Sequence, residues 1–203
     1  RDGIWLDVLD GPVVNALNQS FMETFGAERQ PEGRKLASPE NVLPPQGAGA
    51  RMCFPWREVE PALRAAAREK GSAYDGVVLE YVDPKTAGPV LPAHSCWLHR
   101  LRPGETTKAH RHTSSAVFHV VRGRGRTKVG DKVMDRGPRD CFAAPNWAWH
   151  EHANLSASED AVLFSVNDTP LVKFLGLYRE EPELTIARGA PRMFNSFLRA
   201  AWS

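Results

Sequence analysis

The sequence predicts a mainly β fold, an antiparallel jelly roll or small barrel with flanking helices. From Tyr74 onward the chain divides into eight short segments rich in β-branched and aromatic residues. The stretches between them (DPKTAGP, RPGE, RGRG, GD and RGPRD) have the composition of tight turns. Many short strands separated by turns are typical of jelly rolls and small barrels.

The N-terminal residues favour helix instead. Pro12 suits a first helical turn, and Val13, Leu17, Phe21 and Phe25 follow at four-residue steps before Gly26, so one helix is predicted across this stretch. Residues 28–50, rich in Pro, Gly and polar side chains, predict an extended crossing segment. A second helix is predicted over about 57–70, ending at Gly71.

The predicted strands follow in order and a short helix closes the pattern. The strand segments are GVVLEYVDP, HSCWLHRL, AVFHVV, RTKVG, KVMD, CFAAP, WAWHEH and AVLFSVND, and the helix is TPLVKFLGL. We therefore predict connecting helices and an extended arm over 1–73, a β-barrel over 74–168, and a C-terminal helix and tail over 169–203.

Composition narrows the function classes. The chain has 203 residues and a formal net charge of +2, with no run of basic residues, which argues against a nucleic-acid-binding protein. No apolar stretch approaches the roughly 18–20 residues that span a bilayer, and the first residues do not resemble a signal peptide. Cys53, Cys96 and Cys141 are odd in number and lack CxxC spacing, which indicates reduced thiols, a cytoplasmic location and no zinc finger.

Four histidines form two closely spaced pairs. His110 and His112 lie two residues apart, and so do His150 and His152, so each pair shares one face of a strand. If the alternation that puts His110 and His112 on one face continues along the chain, the inward side chains are Ser114, Ala116, Phe118 and Val120, and His119 points outward. Two imidazoles from one strand and a third from a neighbouring strand can surround a metal ion, although each histidine could equally be an ordinary surface or core residue.

The spacing around these histidines resembles the two motifs of the cupin superfamily. The first motif is matched by Gly104, the residues ETTKA, His110-Arg111-His112 and Gly123, and the second by Pro145, His150 and Asn154. Two positions depart from the motifs. Trp147 stands where the second motif has a glycine, and Ala116 stands where the first has a glutamate.

Longer stretches are similar to one family within that superfamily. YVDPKTAGPVLP, LRPGETTKAHRHTSSAVFHVVRGRG, NWAWHEHANLS and EDAVLFSVNDTPLVKFLGLYREE resemble the C-terminal cupin of gentisate 1,2-dioxygenases, and IWLDVLDGPVVNALNQSF resembles the segment before it. Those enzymes are bicupins of roughly twice this size, so this sequence is expected to be the C-terminal half of a longer, tetrameric protein. Related salicylate and 1-hydroxy-2-naphthoate dioxygenases share these motifs.

The resemblance implies a metal site and a reaction. His110, His112 and His150 would hold Fe(II), and gentisate (2,5-dihydroxybenzoate) would chelate it through its carboxylate and ortho hydroxyl. Cleavage with O₂ between the carbons that carry those two groups would give maleylpyruvate. With Ala116 in place of glutamate, three coordination positions stay open, although the ligand chemistry alone also suits zinc.

Further residues are predicted to serve the reaction. His152, with the parity of His150, is assigned as the catalytic acid/base or substrate hydrogen-bonding group, with pairing to Glu151 or water as the alternative. Trp97, His99 and Trp147 are predicted to contact substrate, and Trp147 is also a candidate core residue. Two other functions remain open: a non-catalytic cupin that serves assembly, and a three-histidine zinc hydrolase.

Overall fold

The computed structural model describes residues 6–9, 11–20, 26, 54–83 and 86–183. Within them the chain forms two five-stranded antiparallel sheets, so the predicted jelly-roll fold is confirmed. The elements are α1 (Gly11–Ala16), α2 (Trp56–Ala66), β1 (Val77–Tyr81), β2 (Ser95–Leu101), β3 (His110–His112), β4 (Ala116–Arg122), β5 (Gly125–Val129), β6 (Lys132–Arg136), β7 (Cys141–Ala144), β8 (His150–Asn154), β9 (Ala161–Asn167), α3 (Thr169–Phe174) and β10 (Glu180–Pro182).

The first sheet has the strand order β1-β2-β9-β4-β7 and the second has the order β10-β3-β8-β5-β6.

Strand β9 shows how the first sheet buries both faces. Leu163 packs with Phe118 and Val120 in one apolar cluster, whereas its neighbour Val162 packs with Leu63 of α2 in another. Since successive side chains of a strand point to opposite faces, α2 covers the outer face while the inner face lines the barrel.

The chain around the first histidine pair changes sheets. The predicted alternation runs unbroken from His110 to Val120, but β3 ends at His112 in the second sheet and β4 begins at Ala116 in the first. The corner is held by polar contacts, because the Ser115 amide donates to Asp168 Oδ1 at 2.8 Å. The predicted inward side chains, Ser114, Ala116, Phe118 and Val120, are all buried.

Both N-terminal helices are shorter than predicted. Helix α1 ends at Ala16, and Asn18 follows with a φ of 54°, a left-handed conformation that asparagine tolerates and that ends a helix. Phe21 and Phe25, on which the longer helix depended, lie outside the described residues. Helix α2 ends at Ala66, before the predicted stop at Gly71.

The C-terminal part adds a strand that the sequence analysis missed. Within the segment predicted as helix and tail, β10 pairs antiparallel with β3, with Glu180 opposite His112. This pairing makes residues after the barrel part of the second sheet. None of the helices in the described ranges is long and apolar enough to cross a membrane.

Candidate metal centre

Three histidines meet on adjacent strands of the second sheet. His110 and His112 come from β3, His150 comes from β8, and His110 lies directly opposite His150 in the strand register. One ring nitrogen from each of the three lies within 4.8 Å of the other two. The structure thus brings together the three ligands that the HxH pair and the later histidine predict.

Hydrogen bonds set the orientation of two of these rings. His112 Nδ1 lies 2.8 Å from the carbonyl oxygen of Ser114, and His150 Nδ1 lies 2.9 Å from that of Ala148. A carbonyl only accepts, so each Nδ1 carries the proton and each Nε2 keeps its lone pair free for a metal. His110 Nδ1 is buried without a hydrogen-bond partner.

Burial keeps two of these imidazoles, those of His110 and His150, neutral. It lowers the pKa of His150 to about 4, an effect only partly opposed by the hydrogen bond to Ala148. It also lowers the pKa of His110, although the nearby Asp75 carboxylate acts in the opposite direction. Neutral imidazole is the form that ligates metals. Three such donors with an unpartnered buried nitrogen fit a divalent transition-metal ion such as Fe(II) or Zn(II).

The three histidines line a cavity of about 200 Å³ between the sheets. This volume is below the range typical of drug-sized ligands and suits a small molecule. Besides the three histidines, the lining comprises Asp75, Val78, Trp97, His99, Ala116, Phe118, Ser165, Asn167, Thr169, Lys173, Tyr178 and Glu180.

Ala116, at the position of the cupin glutamate, lies in this lining and is only 5 % exposed. On β4 it pairs with Asn167 of β9 on one side and Ala144 of β7 on the other. Its methyl group leaves space where a glutamate side chain would extend from the first sheet.

Trp97 and His99 lie on the inner face of β2, where the sequence parity predicts them together. Both line the cavity. Trp97 Nε1 donates to Ser95 Oγ at 3.0 Å, and His99 Nε2 lies 2.8 Å from Ser165 Oγ. Burial lowers the pKa of His99, so this ring is neutral as well.

His152, the predicted catalytic residue, is buried in the barrel and does not line the cavity. It lies beside Phe118, whose ring centroid is 4.9 Å away. Arg136 Nε donates to Thr127 Oγ1 at 2.9 Å, and the same hydroxyl is hydrogen-bonded to His152 Nδ1, also at 2.9 Å. These contacts favour a structural role for His152.

Trp147 also lies away from the cavity, in contrast to its predicted contact with substrate. Its ring and that of Trp149 lie against Arg111, with centroid distances of 4.3 and 4.6 Å to the guanidinium carbon. Arg111 points outward because it alternates with His110 and His112 on β3. Trp147 has a φ of 60°, which explains why the cupin motif has glycine at this position, and its amide donates to His112 O at 2.8 Å.

Four titratable cavity residues were not identified from the sequence: Asp75, Lys173, Tyr178 and Glu180. Tyr178 donates to Glu180 Oε2 at 2.9 Å, and burial raises the pKa of this tyrosine. Lys173 Nζ lies 4.9 Å from the Tyr178 ring centroid. Three of them fall in the stretch TPLVKFLGLYREE, which the sequence analysis interpreted only as helix and tail, whereas no local signal marks Asp75.

Comparison with known proteins agrees with this architecture. A family profile described as a cupin domain matches residues 97–167. A 5-aminosalicylate 1,2-dioxygenase of Comamonas is 42 % identical over 89 % of this chain and 50 % of its own length. A gentisate 1,2-dioxygenase of Aquipseudomonas alcaligenes is 34 % identical over 87 % of this chain and 53 % of its own.

A solved structure shares the fold. Salicylate 1,2-dioxygenase from Pseudaminobacter salicylatoxidans, in a crystal structure with gentisate, matches with a TM-score of 0.66 and 22 % identity over 86 % of this chain and 52 % of that one. The chain spans about half the length of the curated relatives it matches. It contains a cupin domain and is similar, over most of its own length, to one half of gentisate- and salicylate-type 1,2-dioxygenases.

Proposed function

We propose that this domain is an Fe(II)-dependent dioxygenase that cleaves the ring of gentisate or a close 5-substituted 2-hydroxybenzoate. The observation that carries the proposal is the set of three imidazoles at one side of a small cavity, with Ala116 where cupins have a glutamate. A site with three neutral ligands leaves coordination positions for a chelating substrate and for O₂. Bound Fe(II) would supply Lewis acidity and a path for electrons between the ring and O₂.

The remaining lining supports an aromatic acid as substrate. Trp97 and Phe118 offer flat apolar surfaces for a single ring, and Ala116 adds no bulk between them and the histidines. Lys173 is the one lysine or arginine among the described lining residues, and its ammonium group suits a carboxylate. The 200 Å³ volume favours one ring over two, and hence gentisate over a hydroxynaphthoate.

The more specific part of the proposal is the group that the substrate carries at ring position 5. The relative that is 42 % identical is named for 5-aminosalicylate and the one that is 34 % identical for gentisate. Both compounds carry a carboxylate, an ortho hydroxyl and an electron-donating group at the same ring position. In this cavity that group would meet polar partners such as the His99–Ser165 pair, which are 2.8 Å apart.

The reaction needs no reactant other than gentisate and O₂. Gentisate and O₂ give maleylpyruvate, with both oxygen atoms retained and the bond between the carboxylate-bearing and hydroxyl-bearing carbons broken. The protein must therefore orient the ring, exclude bulk water and hold the ligand nitrogens fixed. Hydrogen bonds from His112 and His150 to main-chain carbonyls serve that last purpose.

Anaerobic loading with Fe(II) followed by an oxygen-electrode assay tests the proposal. Gentisate, 5-aminosalicylate, salicylate and 1-hydroxy-2-naphthoate are compared at equal concentration, and products are identified by mass. We expect oxygen uptake with the two 5-substituted compounds and a product heavier by one O₂. Tight iron binding without uptake on any of the four would favour the assembly role, and tight zinc binding with ester hydrolysis would favour the hydrolase.

The assembly implied by the family resemblance, a homo-oligomer and specifically a tetramer, is part of the same proposal. Sedimentation of the purified protein measures it directly. The cytoplasmic location predicted from the sequence is likewise carried forward as a proposal, and cell fractionation tests it.

A further inference from the structure

The proposed metal centre lacks an anionic ligand. Imidazole binds a metal as an uncharged ligand, and position 116, where the cupin motif has a glutamate, is an alanine. A divalent cation held only by neutral groups in a partly buried cavity keeps its full charge in a poorly solvated environment, which is unfavourable. A carboxylate from another element that faces the site would offset that cost.

Asp75 is such a carboxylate. It lines the same cavity, and its Oδ1 lies 3.8 Å from Nε2 of His110 and 4.0 Å from Nδ1 of His99. Nδ1 of each of these two histidines is buried without a hydrogen-bond partner. The carboxylate therefore faces Nε2 of a metal-ligand ring and the unpartnered Nδ1 of a neighbouring imidazole.

A tight turn before β1 holds Asp75 in place. Ser72 and Gly76 exchange two main-chain hydrogen bonds, and Ser72 Oγ accepts the amide protons of Tyr74 and Asp75. The same hydroxyl lies 3.3 Å from Asp75 Oδ2, so one carboxylate oxygen is tied to the turn while the other faces the histidines. Gly76 has a φ of 71°, and a Cβ there would lie 2.7 Å from Arg100 O, so the turn is pressed against β2.

We propose that Asp75 is the anionic residue of the metal centre, supplying from the turn 72–76 the negative charge that the cupin motif supplies from position 116. This inference rests on the metal site proposed above and adds a residue to it. Asp75 acts through its charge and through its contact with His110, so it is a positioning residue whose main effect is on metal affinity.

Glu180, the other carboxylate lining the cavity in the described part of the chain, is less suited to this role. Its Oε2 accepts the hydroxyl proton of Tyr178 at 2.9 Å, and its side chain lies on the exposed strand β10. Asp75 instead lies 3.8 Å from Nε2 of His110, a metal-ligand ring that is only 2 % exposed.

Metal titration tests the proposal independently of activity. Dissociation constants for Co(II) and Zn(II) are measured by calorimetry on the wild type, Asp75→Asn, Asp75→Glu and the double variant Asp75→Asn/Ala116→Glu. Loss of an outer-shell partner of this kind weakens metal binding by about 10- to 100-fold, which we expect for Asp75→Asn. Asp75→Glu keeps the charge and should retain most of the affinity, and the double variant should regain it by moving the carboxylate to position 116.

Asp135→Asn is the matched control. Asp135 is an exposed carboxylate on β6, paired with Arg126 at 2.7 Å, so its loss removes one negative charge away from the site. Equal affinity in Asp75→Asn and Asp135→Asn, or no recovery in the double variant, overturns the role of Asp75 while leaving the metal site intact. If the wild type itself binds neither ion, the metal site proposed above fails with it.

Discussion

His110 and His150 face each other across the β3–β8 pair, with ring centroids 4.3 Å apart. Removing either ring leaves two imidazoles, which form a much weaker site. We expect His110→Ala to weaken Fe(II) or Co(II) binding by more than about 100-fold, beyond the usual effect of an outer-shell change. Elemental analysis after dialysis measures this. His119→Ala is the control, because His119 lies on the outward face of β4 beside Cys141, and equal metal content in the two variants would contradict the assignment.

Ala116→Glu should place a carboxylate on the inner face of β4, within the metal cavity. We expect the variant to hold its metal at least as well as the wild type, because an anion offsets cationic charge. It should bind gentisate at least about tenfold more weakly, since a coordination position is taken. If Ala116 is only a small core residue, the buried carboxylate would instead destabilise the protein by several kcal/mol without improving metal retention.

Calorimetric binding of gentisate to the metal-loaded protein, together with a thermal melt, distinguishes these two outcomes for Ala116→Glu. Ala143→Glu is the control, because Ala143 is exposed on the neighbouring strand β7. It should change neither metal retention nor gentisate binding. Normal gentisate affinity in a folded, metal-loaded Ala116→Glu protein would defeat the argument for an open coordination position.

Two tryptophans provide a matched pair for substrate binding. Trp97 lines the cavity, whereas Trp147 lies against Arg111 on the outside of β3. Trp97→Ala should weaken binding of an aromatic acid to the metal-loaded protein by about tenfold, the usual worth of an aromatic contact. Trp147→Ala should leave that affinity nearly unchanged and cost about 0.5–1 kcal/mol of stability through the lost cation–π contact. The opposite ranking in a fluorescence titration would restore Trp147 as a substrate contact.

The buried histidines make the metal-free protein acid-sensitive. Burial lowers the pKa of His150 from 6.5 to about 4, so between these values the unfolded chain binds a proton that the folded chain does not. The contribution of His150 to stability is fully present above about pH 6.5 and is lost as the pH falls towards 4. At about 1.4 kcal/mol per unit the loss is on the order of 3 kcal/mol for this residue.

Thermal unfolding of the metal-free protein between pH 7 and pH 4.5 measures that loss. The wild-type slope should exceed that of His150→Gln, because the variant loses the contribution of His150. Burial lowers the pKa of His99, His110 and His152 as well, so the variant should keep part of the slope. An unfolding temperature that does not change over this range would show that the rings are protonated or solvated in the folded state.

The sequence contained enough to predict the fold and the three candidate ligands. HxH spacing on a strand places His110 and His112 on one face, and this local rule holds in β3 even though the strand has only three residues. The same alternation puts Trp97 and His99 on one face of β2, where both reach the cavity. Alternation along a strand depends only on local geometry, so it is readable from one sequence.

The positions of Trp147, His152 and the missed residue Asp75 depend on information that is not local. Trp147 adopts the backbone conformation of the motif glycine, which turns its ring outward towards Arg111. His152 obeys the predicted parity but lies behind Phe118, at a depth that only packing determines. Asp75 reaches the histidines because the turn 72–76 packs on β2, a contact between segments far apart in sequence.

The short pairing between β3 and β8 affects how easily the site opens. Strand β3 is joined to β8 by the single register pair His110–His150, whereas β5 is joined to β8 by five pairs. A metal ion bound by histidines of both strands would therefore hold the two-stranded ribbon formed by β3 and β10 to the rest of its sheet. Chelation should therefore speed hydrogen exchange of the Trp147 amide, which donates to His112 O of this ribbon, while the amides of β5 stay protected. Because Tyr178 and Glu180 of the cavity wall belong to this ribbon or adjoin it, metal occupancy would also govern how readily the cavity admits solvent.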